Sequence, residues 1–378
     1  MSGELRVKAA APPLAIRHSP LSIMSLLSIF AGPSALHHLQ QQGLAPEHLA
    51  AVFAASGAAK WLAIYGLDRA IFGQWLQSRQ QPLPLFGTSV GAFKLAAACR
   101  RDTGAALDTL ARAYQLQTYP DGISAAAIER EFRQLRDGVL GNGGGDEILS
   151  HPILRLSCGA VRCHSGLASH NPRRQTLACL HASLRNLSGR GGMHGLVERV
   201  VFHDPRTPPP VAALDGYPTE TVALDAGNLE AALTASGSIP VYMYGVEDIA
   251  GAGPGVYRDG GLLDYHPVPG NFWQDAGLVL YPHFYPFCKM GWFDKQLPWR
   301  KAPATLLDNT LLLTPSAEFF ARTRLGRVPD RADFKRLAGR DAERIALWQE
   351  VMDLSLELGE EFLTLARQGD LASRARPL

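Results

Sequence analysis

The sequence predicts an α/β fold with a mostly parallel central sheet. Short apolar runs alternate with helix-spaced patterns between His48 and Cys99, and a strand–helix–strand–helix order at that spacing builds parallel βαβ units. The run "AGLVLYPHF" (Ala276–Phe284) supplies another buried strand far downstream. The chain has 378 residues and is 46% hydrophobic, enough for one large α/β domain or two modest ones. No internal repeat appears, and no linker is long enough to separate domains. The organisation expected is a lead over 1–20, an α/β domain over 21–330 and a helical C-terminal extension over 331–378 packed on the same domain.

Residues 1–20 read as a disordered lead. Arg6, Lys8 and Arg17 precede the apolar run Leu21–Phe30, an arrangement that also fits a signal peptide. Ser22, Ser25 and Ser28 interrupt the run, which is read here as the first buried strand and is too short to span a bilayer. A cytoplasmic location is expected, peripheral to membrane or free, with secretion as the alternative. The five cysteines are odd in number and scattered, which favours a reducing compartment over a disulfide framework. A net charge of +2 carries no nucleic-acid footprint.

The later elements follow from pattern. Pro33–Gly43 reads as a short helix stopped by glycine, and His48–Ser56 as a buried strand. Ala58–Leu76 carries apolar residues at helical spacing (Trp61, Leu62, Ile64, Tyr65, Leu67, Ile71, Phe72). "PLPLFG" (Pro82–Gly87) is a strand and Val90–Cys99 a helix. Residues 103–138 are helical in pattern, "GNGGGDE" (Gly141–Glu147) is a loop, and 150–225 reads as strands and loops that include "RTPPP" (Arg206–Pro210). Asn228–Ser238 is a helix stopped by Gly and Pro, and 332–368 is helical and strongly charged.

The chemistry starts at "FGTSVGA" (Phe86–Ala92). Gly87, Ser89 and Gly91 form G-x-S-x-G, a weak signal alone. It gains meaning from the strand before it and the helix after it, because the serine must stand on a sharp turn with its hydroxyl exposed. Free N–H groups at the helix start favour negative charge beside Ser89. The alternative is a packed turn with a capping serine. A catalytic serine needs a base. None of the twelve histidines lies in a motif that marks it, although His266 and His283 lie downstream in the order a Ser–Asp–His triad requires. "YRDGGLLDYHPV" (Tyr257–Val268) marks Asp259 better, since Gly260 and Gly261 leave its carboxylate little steric cover.

Taken together, these segments resemble the patatin-like phospholipase family. "SGAAKW" (Ser56–Trp61) resembles its glycine-rich oxyanion loop, with Lys60 as the basic residue that opens a helix. "GTSVGA" (Gly87–Ala92) resembles its nucleophile elbow, "LEAALTASGSIPVY" (Leu229–Tyr242) the small-residue helix and proline that precede the aspartate, and "DGGLLDYHP" (Asp259–Pro267) its Asp-Gly-Gly motif. The likeness runs over about residues 45–285. It implies a three-layer α/β/α fold and a lipid acyl hydrolase with Ser89 as nucleophile and Asp259 as base. It implies an acyl-Ser89 intermediate and no metal, cofactor or histidine. The implied partners are a lipid ester and a membrane surface met peripherally. The oxyanion would be held by the backbone N–H groups of Gly57 and Ala58, with Ser56 as a third. The loop departs from the family's three glycines, reading Ser56, Gly57, Ala58; small side chains suffice there if the backbone angles are ordinary.

Other residues carry competing readings. Lys60 either assists an anionic substrate or the oxyanion, or is a solvated helix-start charge. Cys158, Cys163, His164 and His170 have poor spacing for zinc and fit a strand with buried cysteines. Asp264 and His266 read as ordinary loop residues that could also line the pocket. Tyr281–Trp299, rich in aromatics, reads as a loop packed over the sheet edge, with a membrane-facing lip as the alternative. Two rival functions stand beside the dyad: an α/β-hydrolase esterase with a Ser–Asp–His triad using His266 or His283, and a non-catalytic lipid-binding protein on the same fold.

Overall fold

A computed structural model describes residues 25–378 except 210, 212–215 and 271–276. The expected lead, the first part of the Leu21–Phe30 strand, Pro210 and Ala276 lie outside the described residues. Strands β1 (Leu27–Ala31), β2 (Leu49–Ala54), β3 (Leu83–Thr88), β4 (Leu154–Cys163), β5 (Val197–His203), β6 (Thr219–Ala223), β7 (Val246–Glu247), β8 (Val256–Asp259), β9 (Leu278–Pro282), β10 (Thr310–Pro315) and β11 (Ala375–Pro377) join one sheet. Its order is β11-β1-β10-β9-β2-β3-β4-β5-β6, with the β7–β8 hairpin attached to β4. The run β10-β9-β2-β3-β4 is parallel throughout; β1 on β10, β5 on β4 and the hairpin are antiparallel. Every residue of β2, β3, β9 and β10 is buried, as parallel strands covered on both faces require. This mostly parallel sheet with its helices is consistent with a three-layer α/β/α arrangement.

The helices of nine or more residues are α1 (Pro33–Gln42), α2 (Tyr65–Gly73), α3 (Val90–Ala98), α4 (Thr103–Gln115), α5 (Ala125–Leu140), α6 (Pro172–Leu187), α7 (Leu229–Gly237) and α8 (Asp341–Gln368). The single helical pattern over 103–138 is thus two helices. The segment 58–76 opens as a 3₁₀ turn (Ala58–Ile64), becomes α2, and closes in another 3₁₀ turn. Two expectations are corrected. The glycine run is not wholly a loop, since a short helix begins at Gly144, inside "GNGGGDE", and its open N-terminus is favoured by Asp146 and Glu147 in the first turn. Residues 150–225 are not only strands and loops, because they contain the sixteen-residue α6. Asn171 caps α6 through its side chain and Pro172 opens it, both standard start signals.

The C-terminal extension is tied closely to the sheet domain. Helix α8 buries Trp348, Val351, Leu358 and Phe362 and crosses α2 at Gly66, where the Ser355 hydroxyl accepts the Gly66 N–H at 2.9 Å. A Cβ on Gly66 would meet the Ser355 carbonyl oxygen at 2.1 Å, so only glycine allows this approach. Beyond α8, β11 pairs in parallel with β1.

One buried ion pair links the elements that carry the site. Lys94 of α3 donates to both Asp68 carboxylate oxygens of α2, at 2.8 and 3.1 Å, and Trp61 Nε1 donates to the same carboxylate at 2.6 Å. Both charged side chains are almost fully buried. Lys94→Met is expected to cost about 3–5 kcal/mol, because it strands Asp68 in the interior. The urea midpoint of the variant measures this loss.

Candidate active site

The sheet register brings Ser89 and Asp259 together. β3 runs parallel along one edge of β4 and ends with Thr88 opposite Gly159. β8 runs antiparallel along the same edge and ends with Asp259 opposite Ala160. The two strands meet head to head, so their next groups converge. Ser89 Oγ donates to Asp259 Oδ2 at 2.8 Å.

The elbow is strained and held. Ser89 has φ 53° and ψ −130°, a region costly for a residue with a Cβ and found where function demands it. Its amide donates to the Ser236 carbonyl at 3.1 Å and lies 3.0 Å from the Ser236 hydroxyl. That hydroxyl in turn donates to Gly159 O at 2.7 Å. The glycines have steric reasons. A Cβ on Gly91 would lie 2.5 Å from Ala54 O, one on Gly87 2.5 Å from Gly91 C, and one on Gly260 2.2 Å from Gly159 O. One on Gly261 would press on Ser56 Oγ at 2.7 Å and on Asp259 Oδ1 at 2.9 Å.

Asp259 is buried, and its other oxygen accepts the Gly261 N–H at 2.7 Å. Desolvation pushes its pKa up to about 6, against the opposing pull of the Ser89 and Gly261 hydrogen bonds and of Arg331 and Lys295. A carboxylate with that value is a stronger base than an ordinary aspartate and remains ionised at neutral pH.

The expected oxyanion loop separates into parts. Gly57 and Ala58 line the same cavity as Ser89, and among the described residues their amides meet no acceptor. The Ser56 amide is not available, because it donates to Tyr265 O at 2.8 Å. Its hydroxyl lies 2.7 Å from Thr88 Oγ1, so Ser56 ties the ends of β2 and β3 together instead of serving as a third donor. The backbone angles are also not ordinary: Ala58 has φ 51°, which asks of alanine what glycine adopts freely. A Cβ on Gly57 would lie 2.6 Å from Phe284 Cζ. Ala58→Gly is expected to keep activity and to stabilise by up to about 1 kcal/mol, strain relief exceeding the entropy added to the unfolded chain. Thermal melts and turnover measured together test it. The Val90 amide, which sequence reasoning missed, is a further donor: it opens α3 directly after Ser89 and has no acceptor among the described residues. The rule that the residue after the nucleophile supplies an amide could have found it.

Lys60 is not solvated. It is buried and paired with Asp330, and its pKa falls to about 7, first through burial and then through Lys295 and Arg331. The cavity, about 300 Å³, is lined by the apolar side chains of Ile123, Ile128, Ile239, Tyr242, Phe334 and Trp292 and by the charged Lys60, Lys295, Arg331 and Lys335. The cationic residues after 290 lie beyond the recognised motifs and carry no sequence mark of a site.

The other candidates lie elsewhere. Asp264 is held by Arg199 in a two-pronged pair at 2.7 and 2.9 Å. His266 and His283 are buried and do not line the cavity. Burial lowers both pKa values, that of His283 to about 3. Their ligand atoms and that of Cys288 lie within 4.8 Å of one another. His266 Nδ1 accepts the Lys289 N–H at 3.0 Å, which leaves the proton on Nε2 and spoils the ring as a neutral ligand. Cys158 and Cys163 are buried on β4. Nine of the nineteen residues of Tyr281–Trp299 are buried, while Trp292 and Lys295 reach the cavity and Trp299 is 74% exposed. No helix among the described residues is long and apolar enough to cross a membrane. No protein-family model matches the chain, and no curated protein matches it.

Proposed function

We propose that the protein is a serine lipid acyl hydrolase of patatin-like type. The observation that carries this reading is the 2.8 Å hydrogen bond from Ser89 Oγ to Asp259 Oδ2, two residues that line a cavity with many apolar side chains. Asp259 takes the Ser89 proton as the oxygen attacks the ester carbonyl. The oxyanion forms against the amides of Gly57, Ala58 and Val90, with the α3 N-terminus behind them. The alkoxide leaves with the proton from Asp259. Water then attacks the acyl-Ser89 ester, again with Asp259 as base, and frees the carboxylic acid. A pKa near 6 suits a group that must accept and return a proton near neutrality.

The triad alternative has less support, because His266 and His283 are buried away from the cavity and held neutral. The non-catalytic alternative does not account for a strained serine bonded to a desolvated carboxylate. Labelling the folded protein with a fluorophosphonate, followed by peptide mass analysis, tests the reading. An adduct on Ser89 together with turnover of at least one acyl ester is expected; absence of both would sink it.

A further inference from the structure

Helix α6 leaves one face bare. Gln175, Ala182 and Asn186 pack inward, while Leu177, Leu180, Leu184 and Leu187 on the opposite side are between 55 and 67% exposed. At about 100° per residue the four leucines fall within a stripe roughly 80° wide. A single exposed leucine is ordinary, but an aligned row marks an interaction surface.

Two further observations say what covers it. Between Asn171 and Arg190 the chain holds four arginines and no Asp or Glu, and Arg173, Arg174 and Arg185 are exposed. Exposed aromatics stand at both ends of the row. The Val241 N–H donates to Gln175 in the first turn of α6, which sets Tyr242 and Tyr244, 40 and 60% exposed, at that end. Arg300 donates to Asn186 O and Leu187 O, which sets Trp299 at the other end. A leucine row flanked by arginines and ended by Tyr and Trp is the make-up of a helix lying in a membrane interface. The face adjoins the cavity, since Pro240 and Tyr242 line it.

We infer that α6 docks the protein on an anionic bilayer, laying its leucines among the headgroups while its arginines meet lipid phosphates and carboxylates. A second copy of the chain fits less well. The row spans two heptads, short of the three or four that sustain a coiled coil, and pairing would bring arginines together with no acidic partner on the helix. The inference goes beyond the acyl-transfer reading and does not need it.

The test uses full-length Ser89→Ala, so that no substrate is consumed, in flotation with vesicles of phosphatidylcholine alone or mixed in equal parts with phosphatidylserine. Binding to the mixed vesicles and its loss at high salt are expected. Leu180→Gln/Leu184→Gln should weaken binding roughly tenfold or more, and Arg173→Gln/Arg174→Gln roughly fivefold per charge. All four side chains are exposed, so melting temperatures should not move; Leu177→Gln/Leu187→Gln repeats the test at independent positions. Binding unchanged in both leucine variants, or a dimer that those variants dissociate, would overturn the inference.

Discussion

Replacing Ser89 with alanine is expected to lower kcat for ester hydrolysis roughly 10⁴- to 10⁶-fold, the scale seen when a nucleophile is removed from a hydrolase. The loss follows from geometry. Ser89 is held at φ 53° by two bonds from its amide to Ser236, and its hydroxyl meets the only base in contact with it among the described residues. Alanine keeps the backbone and removes the attacking atom, so the fold should persist while turnover and the fluorophosphonate adduct disappear together. Ser236→Ala is the matched control. It removes one of the two acceptors of the Ser89 amide and leaves the carbonyl acceptor and the attacking oxygen in place, so it should reduce kcat much less. Parallel progress curves on one ester separate the two variants.

Asp259→Asn is expected to inactivate the protein and stabilise it at once. Asparagine is nearly isosteric and still accepts from Gly261, but it cannot take a proton. A loss of roughly 10⁴-fold in kcat is the scale set by an aspartate-to-asparagine change in a catalytic triad. The stability gain comes from linkage. The folded pKa, about 6, lies above the 3.8 of an ordinary aspartate. The folded state therefore binds the proton more tightly, and stability falls as pH rises between these values. The difference amounts to about 3 kcal/mol at neutral pH, and asparagine removes it. Urea titrations should show parent and variant diverging from pH 4 to pH 7, with the variant the more stable at the upper end. In the parent, kcat/KM should rise with pH about a midpoint near 6 as Asp259 ionises. A parent profile flat across that range would remove Asp259 as the base.

Much of the scaffold was legible because its signals are local. The strand–turn–helix around Ser89 and the stop at Gly237 are written in neighbouring residues. The pairing of Ser89 with Asp259 was reached through resemblance, and its cause is not local: β3 and β8 share one edge of β4, a matter of register 170 residues apart in the chain. Gly159, whose Cβ would press on Thr88 Cγ2 at 2.8 Å, looked like any small residue in a strand. Helix α6 was missed because its leucines face outward, so the apolar positions did not mark a buried face. The Ser56 amide was misassigned because its acceptor, Tyr265 O, belongs to a loop more than two hundred residues later. Lys60 read equally well as solvated or active, and only Asp330, outside the recognised motifs, resolves its burial.

The sheet order has a consequence for how the protein comes into being. β2 lies between β3 and β9, so the strand leading into Ser56–Lys60 lacks one neighbour until residues 278–282 have been made. Lys60 then waits for Asp330, and α2 for α8. Synthesis proceeds from the N-terminus, and pairings this distant in sequence form slowly. Ser89 would leave the ribosome long before Asp259, the carboxylate it bonds, and a truncated chain would carry the elbow without that partner. On the acyl-hydrolase reading proposed above, esterase activity in a refolding experiment should therefore appear with the final phase, after most helical signal has returned.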